Sequence, residues 1–433
     1  MGRWFERKMD QAASVLFRGN VLPRAEEFAS IPGVEVLAST DRNPRALWSL
    51  KLRHPKWGEA TLMALPDMPV PPSVLVEIAA GLSEGEREDV AAGTQALALV
   101  TEGRFKSVLR DRKAMLFFGR AVMGDEGVGV VDHMAEKMWS REKLDDELAH
   151  DADLDVSQVF TVHAVSDGEE EDGTPIVPWV HTHGLGPLGG FDFDILAPSA
   201  ALVESGAWDM IRALAYAVLD GSIKPDSQNI EIIRNAPMSF VEVGEFHRLA
   251  AEEYTSLREN DEMHNSNRSV ICEPRKKSLL GIGGAKRPRP SRFFQRDNFD
   301  GIIIAFTDTA TELMEKRARA TVGVLRGLLE EFKELELPAM VKLGLKTNAG
   351  PREHPWFSVV EIDDTHVTGV CENDPHDIPN LVRGQQGRWE LHCLSDWMLM
   401  SPAGTIQPHD FSGARRIREN YDEVLRIMQE ENE

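Results

Sequence analysis

Cysteine is scarce: Cys272, Cys371 and Cys393 are the three in 433 residues. None forms a CxxC pair, which argues against a disulfide framework and excludes a cysteine-rich zinc site within one chain. So few thiols fit a reducing compartment, and the expected location is the cytoplasm. Positive charge is also in short supply. Against 71 Asp and Glu stand 48 Lys and Arg, a formal net charge of −23. Such a surface repels phosphates and anionic lipid, so neither nucleic acid nor a membrane is an expected partner. No stretch approaches 18 uninterrupted apolar residues, which predicts no spanning helix. The start, MGRWFERKMDQAASVLFRG, lacks a long apolar core and does not read as a secretory signal. Familiar catalytic signatures are missing as well: there is no HExxH, no GxSxG and no kinase set. The GIGG at 281–284 is not part of a phosphate loop, and no dinucleotide fingerprint follows a strand.

What is present suits a globular chain of two or three domains, with 42% hydrophobic and 27% charged residues. Alternating or β-branched segments predict strands at GVEVLAS, ALWSLKLRH, GEATLMALP and TQALALVTE. Helices are expected over the first thirty residues, over RFKSVLRDRKAMLFFGRAVMG and over SGAWDMIRALAYAVLD. Ser83 and Glu86 have the spacing of a capping box. VGVVDHMAEKMWS should begin extended and turn helical, and DGIIIAFTD reads as a buried strand before a long helix. The acidic knot DGEEEDG at 167–173 reads as a solvated hairpin turn. The fold class is α+β and multi-domain, with mixed or antiparallel sheets flanked by helices. We divide the chain into an N-terminal α+β region (1–140), a central α+β domain (141–260), a basic flexible loop (261–298) and a C-terminal α+β domain (299–433). The loop assignment rests on residues 275–296, which hold eight Lys or Arg and no acid.

The segment WVHTHGLGPLGGFDFDIL, 179–196, carries the densest potential chemistry. On a strand, His181 and His183 point to one face, and Asp192 and Asp194 share the same spacing. If the glycines make a hairpin the two pairs can meet around a divalent metal; otherwise the glycines and aromatics build a hairpin and leave the acids to water. Further along, Glu353 and His354 precede Trp356, CENDP spans 371–375 and SDW spans 395–397. Glu353, Trp356, Asn373, Asp396 and Trp397 either line a small polar pocket or serve as turn caps and packing residues. A Cys371–His392 dyad is a further reading, against which Cys371 is a buried small hydrophobe.

The C-terminal motifs VKLGL, EHPWFSV, VTGVCENDP and LVRGQQGRWELHCLSDW resemble, in their order, a bacterial family known as domain of unknown function 2314. The matching positions are Glu353, Trp356, Gly369, Asn373, Pro375, Gly384, Asp396 and Trp397, over roughly residues 300–400. The central VGVVDHMAEKMWS and PWVHTHGLGPLGGFDFDIL resemble a neighbouring domain of unknown function found in longer bacterial relatives. Neither resemblance implies an activity, a ligand or a catalytic set. The expected function is therefore a non-catalytic binding or protein-interaction role, with no cofactor and with a protein partner. The alternative is a metal-dependent hydrolase or oxygen-dependent enzyme built on His181, His183, Asp192 and Asp194.

Overall fold

The computed structural model describes residues 10–39, 43–105, 107–168, 176–204, 208–258, 267–274, 287–299, 301–348, 350 and 352–431. Three main β-sheets with helices against them make an α+β, multi-domain architecture, as the sequence predicts. The first sheet holds β1 (Gln11–Phe17), β2 (Glu35–Ala38), β3 (Trp48–His54), β4 (Gly58–Ala64), β5 (Gln95–Thr101), β6 (Gly127–Asp132) and β7 (Lys137–Trp139). Its order is β2-β3-β4-β5-β1-β6-β7 and every pair is antiparallel. On one side lie α1 (Ser73–Glu77) and α2 (Glu84–Ala91), which the Ser83–Glu86 capping box starts. On the other lies α3 (Val108–Met123), followed along the chain by α4 (Arg141–Leu148). At Gly119 a Cβ would come within 2.9 Å of Val130, so glycine is what lets α3 sit against β6.

The second sheet comprises β8 (Thr161–Val165), β9 (Trp179–His183), β10 (Asp192–Leu196), β11 (Ser239–Glu242) and β12 (Arg268–Cys272), in the order β11-β12-β10-β9-β8. It is mixed, because β10 and β12 run parallel. Helices α5 (Ala200–Glu204) and α6 (Trp208–Leu219) follow β10, and α7 (Val243–Leu249) and α8 (Glu252–Thr255) follow β11. Helix α9 (Asp308–Glu331) leads into the third sheet region, with β13 (Ala339–Leu343), a small β14–β15 pair (Leu345–Lys346, Arg352–Glu353), β16 (Trp356–Ile362), β17 (His366–Cys371), β18 (Gln386–Glu390) and β19 (Leu394–Leu399). The main antiparallel order is β18-β17-β16-β13-β19, and α10 (Ser412–Glu419) and α11 (Tyr421–Glu431) follow.

Several local expectations need correction. QAASVLF is not helical but is β1, paired on both sides near the middle of the first sheet. A strand buried on both faces shows no apolar–polar alternation, so its pattern imitates a buried helix. VGVVDHMAEKMWS is a β6–β7 hairpin turning at Glu136, whose φ is 51°. IIIAF forms no strand: Ile304 makes one isolated bridge to Ile233, and Ile303 is exposed. The polar tail from Ser412, whose pattern predicts one terminal amphipathic helix, is broken at Asn420 into α10 and α11. Within the expected basic loop, Arg268–Cys272 is a buried strand between β11 and β10. RSVIC has β-branched residues to fill the sheet, and the ion pair of Arg268 with Asp194 admits its one charge. The basic residues 275–286 and the acidic residues 169–173 lie outside the described residues.

Two large apolar clusters organise the interior. One runs without a break from Ala13 in the first sheet through Phe193 and Phe240 in the second to Ala310 in α9. The other starts at Ala318 in the same helix and contains Leu325, Leu328, Val341, Phe357, Trp397 and Phe411. Helix α9 thus belongs to both, which follows from its 24-residue length, about 36 Å at 1.5 Å per residue. Trp397 is fully buried beneath it and donates its indole N–H to Thr321 Oγ1 at 3.0 Å. Trp397→Ala should therefore lower stability by about 3–5 kcal/mol. Urea unfolding of wild type and variant checks this; an unchanged midpoint would show that α9 does not depend on this contact.

Candidate functional site

The HTH strand is placed as the sequence predicts, but its polar residues do not gather into a metal set. Asp194 lies opposite His181 in the β9–β10 register. Its Oδ1 accepts from Arg268 Nη2 at 2.5 Å and Nε at 3.2 Å, and both side chains are buried. Asp192 turns to the connecting loop, where it accepts from the Thr182 hydroxyl and Leu185 N–H (both 3.1 Å) and from Gly186 N–H (3.2 Å). It is a turn-capping carboxylate. His181 stacks on Trp179 with 4.1 Å between ring centroids. His183 and His163 of β8 hold nearly parallel rings, and their Nε2 atoms lie 3.3 and 3.7 Å from the Glu136 carboxylate. Among the described residues, no group of three His, Cys, Asp or Glu is arranged to hold a metal ion. For the His181, His183, Asp192, Asp194 set, each aspartate is directed at groups of the chain itself rather than at a shared centre.

The C-terminal candidates divide between two faces of the third sheet. Trp356, Lys342 and Asp396 form one row across β16, β13 and β19. The Lys342 ammonium lies 5.3 Å from the Trp356 ring centre. Trp397 points the other way, into the core, so the five residues do not line one pocket. Asn373 Oδ1 accepts from the Trp356 backbone N–H at 2.5 Å. The Glu353 carboxylate accepts from the N–H groups of His376 (2.8 Å) and Asp377 (3.2 Å). These two bind the CENDP loop to the start of β16. Asp396 accepts from its neighbour's backbone N–H at 2.9 Å, and burial pushes its carboxyl up to about 6 against the pull of Arg212. The Cys371–His392 dyad is not formed: Cys371 is buried and donates to Asn373 O, while His392 is turned outward beside Glu390.

The densest ionic chemistry lies elsewhere, where α3, α4, α6, α9 and the 408–415 segment meet. Arg317 of α9 grips Glu147 of α4 with two parallel bonds, of 3.0 and 2.7 Å. It also donates to the carbonyls of Asp153 (2.8 Å) and Pro408 (2.6 Å). Burial opposes ionisation of Glu147, but the Arg317 charge and hydrogen bonds outweigh it and lower its pKa. Lys113 donates to the carbonyls of His150 (2.8 Å) and Ala152 (2.6 Å). Beside them, Asp155 caps the turn at Ser157 and receives Arg212 (3.0 and 2.7 Å) and the Tyr216 hydroxyl (2.8 Å). A second clamp is Arg415 of α10, which reaches Glu86 (2.9 Å), Asp146 (2.6 Å) and the Gly81 carbonyl (2.6 Å). A cavity of about 220 Å³ opens on this seam, lined by Asp151–Asp155, Tyr216, Leu313, Lys316 and Arg317.

Burial lowers the pKa of three basic groups here, His150, Lys113 and Lys143. It lowers the His150 imidazole to about 3 despite Glu147, and Lys113 to about 8. It lowers Lys143 to about 7, with Lys137 and Arg415 adding repulsion. Among the described residues the Lys143 ammonium meets the carbonyls of Met138 (3.3 Å) and Ala80 (3.4 Å) and the Trp139 ring, centred 4.7 Å away. Sequence reasoning missed this seam because Glu147, Asp151, Asp153 and Asp155 sit in an acid-rich stretch that reads as a solvated face. One signal was available: Asp155 two residues before Ser157 has turn-capping spacing.

Comparison with known proteins defines the class only for the last part of the chain. Residues 314–416 match the family model described as "Uncharacterized protein conserved in bacteria (DUF2314)". The chain therefore has a DUF2314-like domain in its C-terminal region, beginning inside α9 and ending inside α10. No curated protein and no solved structure matches the chain. The boundaries of the match add meaning to the seam: Arg317 and Arg415 both lie within the family region, and Glu147, Glu86 and Asp146 lie outside it.

Two outcomes follow from the buried charges. Arg317→Ala strands Glu147 in the interior and should cost about 3–5 kcal/mol, whereas the double change Arg317→Met with Glu147→Leu should recover most of that loss. Chemical unfolding of wild type, the single variant and the double variant decides it, and equal losses in the two variants would contradict it. For Lys143, folding depresses the amine pKa below its unfolded value. Below about pH 7 both states are protonated and the folded state bears the full desolvation penalty. From there towards the ordinary lysine value only the unfolded chain keeps the proton, so stability climbs with pH. Lys143→Met should reduce the stability gain between pH 7 and 9 by about 1 kcal/mol or more. Urea midpoints at the two pH values measure it, and identical slopes would refute it.

Proposed function

We propose that this protein acts without catalysis, as a protein-interaction module of the bacterial cytoplasm. The observation that carries the reading is an apolar strip on the outer side of the first sheet. Val70, Val74, Leu75 and Ile78 are 37%, 58%, 43% and 67% exposed, although they fall within nine residues. Scattered exposed apolar residues are ordinary, but a contiguous set marks a contact surface. Val76 between them is buried against Leu16, Leu82 and Val90, which fixes the strip to the sheet. The buried ionic groups support the same reading, since Glu147, Asp155, Arg212 and Arg317 are committed to one another rather than aimed at a substrate. The net charge of −23 favours a protein partner over nucleic acid or an anionic membrane. Among the described residues no helix is long and apolar enough to cross a membrane. As part of this proposal, residues 1–140, 141–260, 261–298 and 299–433 remain the working division, with Arg268–Cys272 of the third segment completing the second sheet and the central part resembling a neighbouring domain of unknown function.

Leu75→Ser with Ile78→Ser removes the strip while leaving Val76 in place. Native affinity purification from a bacterial lysate should recover a partner with wild type and at least tenfold less of it with the variant. Recovery of the chain alone, together with robust turnover of a small substrate, would reverse the reading.

A further inference from the structure

The DUF2314-like domain carries a second surface with a more specific shape. β13 pairs with β16 from Lys342↔Trp356 to Met340↔Ser358, and β16 then runs on to Ile362. The reason lies in the chain before β13. Glu336 adopts a left-handed conformation (φ 49°), and Pro338 follows with no N–H to give a ladder. The side of Val359–Ile362 away from β17 therefore borders an open groove of about 500 Å³. Arg326, Leu329 and Glu330 at the end of α9 form its far wall, and Leu337, Ala339, Val359 and Ile362 contribute apolar surface. A bulge between Val359 and Glu361 leaves Val360 59% exposed.

The groove's charge is one-sided. Its carboxylates are Glu330, Glu336 and Glu361, and its one lining cation, Arg326, is already paired with Asp364. Glu330 is partly offset by Lys333 at 2.9 Å. Glu336 and Glu361 are exposed and make no ion pair among the described residues. An open strand edge offers backbone hydrogen bonds, alternate apolar positions accept side chains, and the acidic rim selects positive charge. We propose that this groove takes an extended segment of a partner protein in which Lys or Arg alternates with β-branched apolar residues, added beside β16 as a further strand. Four residues of edge span about 13 Å at roughly 3.3 Å per residue, which makes this a short, salt-sensitive contact. It extends the interaction role to a different face and does not use the strip at residues 70–78.

The test is fluorescence anisotropy with a labelled octapeptide of alternating Lys and Val, titrated with the full chain at low salt. Wild type should bind it, and Glu336→Lys with Glu361→Lys should weaken binding at least tenfold without changing the melting temperature. Raising the salt to about 0.3 M should also weaken it. A peptide N-methylated at alternate amides should bind at least tenfold less well, because it cannot complete the ladder. The Leu75→Ser, Ile78→Ser variant should bind like wild type, which separates this proposal from the function proposed above. Equal binding of a Glu–Val peptide or of the N-methylated peptide, or undiminished binding by the doubly charge-reversed variant, overturns the inference. So does a concentration-dependent dimer that the charge-reversed variant dissolves, since a second copy would then fill the groove.

Discussion

A guanidinium cannot be taken out of water unless its charge and its hydrogen bonds are met inside, and Arg317 meets both through parts of the chain distant in sequence. Its carboxylate comes from Glu147, and its carbonyls come from Asp153 and Pro408. The ends of α4, the 150–155 loop and the 408–410 segment therefore have to arrive at one point on α9. The helix can deliver the charge there because it is shared by two apolar clusters, with Ala310 in one and Ala318 in the other. Arg415 repeats the arrangement against Glu86 and Asp146. Buried pairs of this kind contribute little net stability compared with apolar packing, but they penalise any docking that leaves one partner alone. They specify how the family domain meets the preceding chain.

That role gives the buried ionisable groups of the seam a structural account. Asp155 is held far below the usual carboxylate range: burial opposes its charge, and Arg212 overcomes the penalty. The same pairing fixes α6 against the 155–158 turn. In the second sheet Asp194 is the counter-ion that allows Arg268 into a central strand, and Asp192 shapes the loop between β9 and β10. In the third, Glu353 and Asn373 tie a loop to a strand start. Each of these polar residues shapes the backbone, and among the described residues an apolar strip and an acidic groove lie on the surface.

Elements with a strong local period were legible. The α3 and α9 helices, the Ser83–Glu86 box and the strands β2 to β5 follow from apolar spacing and capping chemistry that act over a few residues. The roles of Glu353 and Asn373 as caps were within reach for the same reason. β1 was not legible, since a strand paired on both sides and buried on both faces loses its alternation. Nor was the strand status of Arg268–Cys272, because the charged neighbours dominated the local composition and the counter-ion lies 74 residues away.

The amino-acid sequence by itself determined the α+β character, the acidic surface, the absence of a cysteine framework and the DUF2314 resemblance, all of which depend on composition or on contiguous motifs. Only the tertiary structure decided which acids are solvated and which are buried. Glu147 and Asp151 lie four residues apart in one acidic stretch, yet Glu147 is 4% exposed beside Arg317 and Asp151 is a surface partner of Lys56. The difference is the cost of desolvating a charge, which depends on what the fold brings within about 3 Å of it and has no counterpart in local sequence.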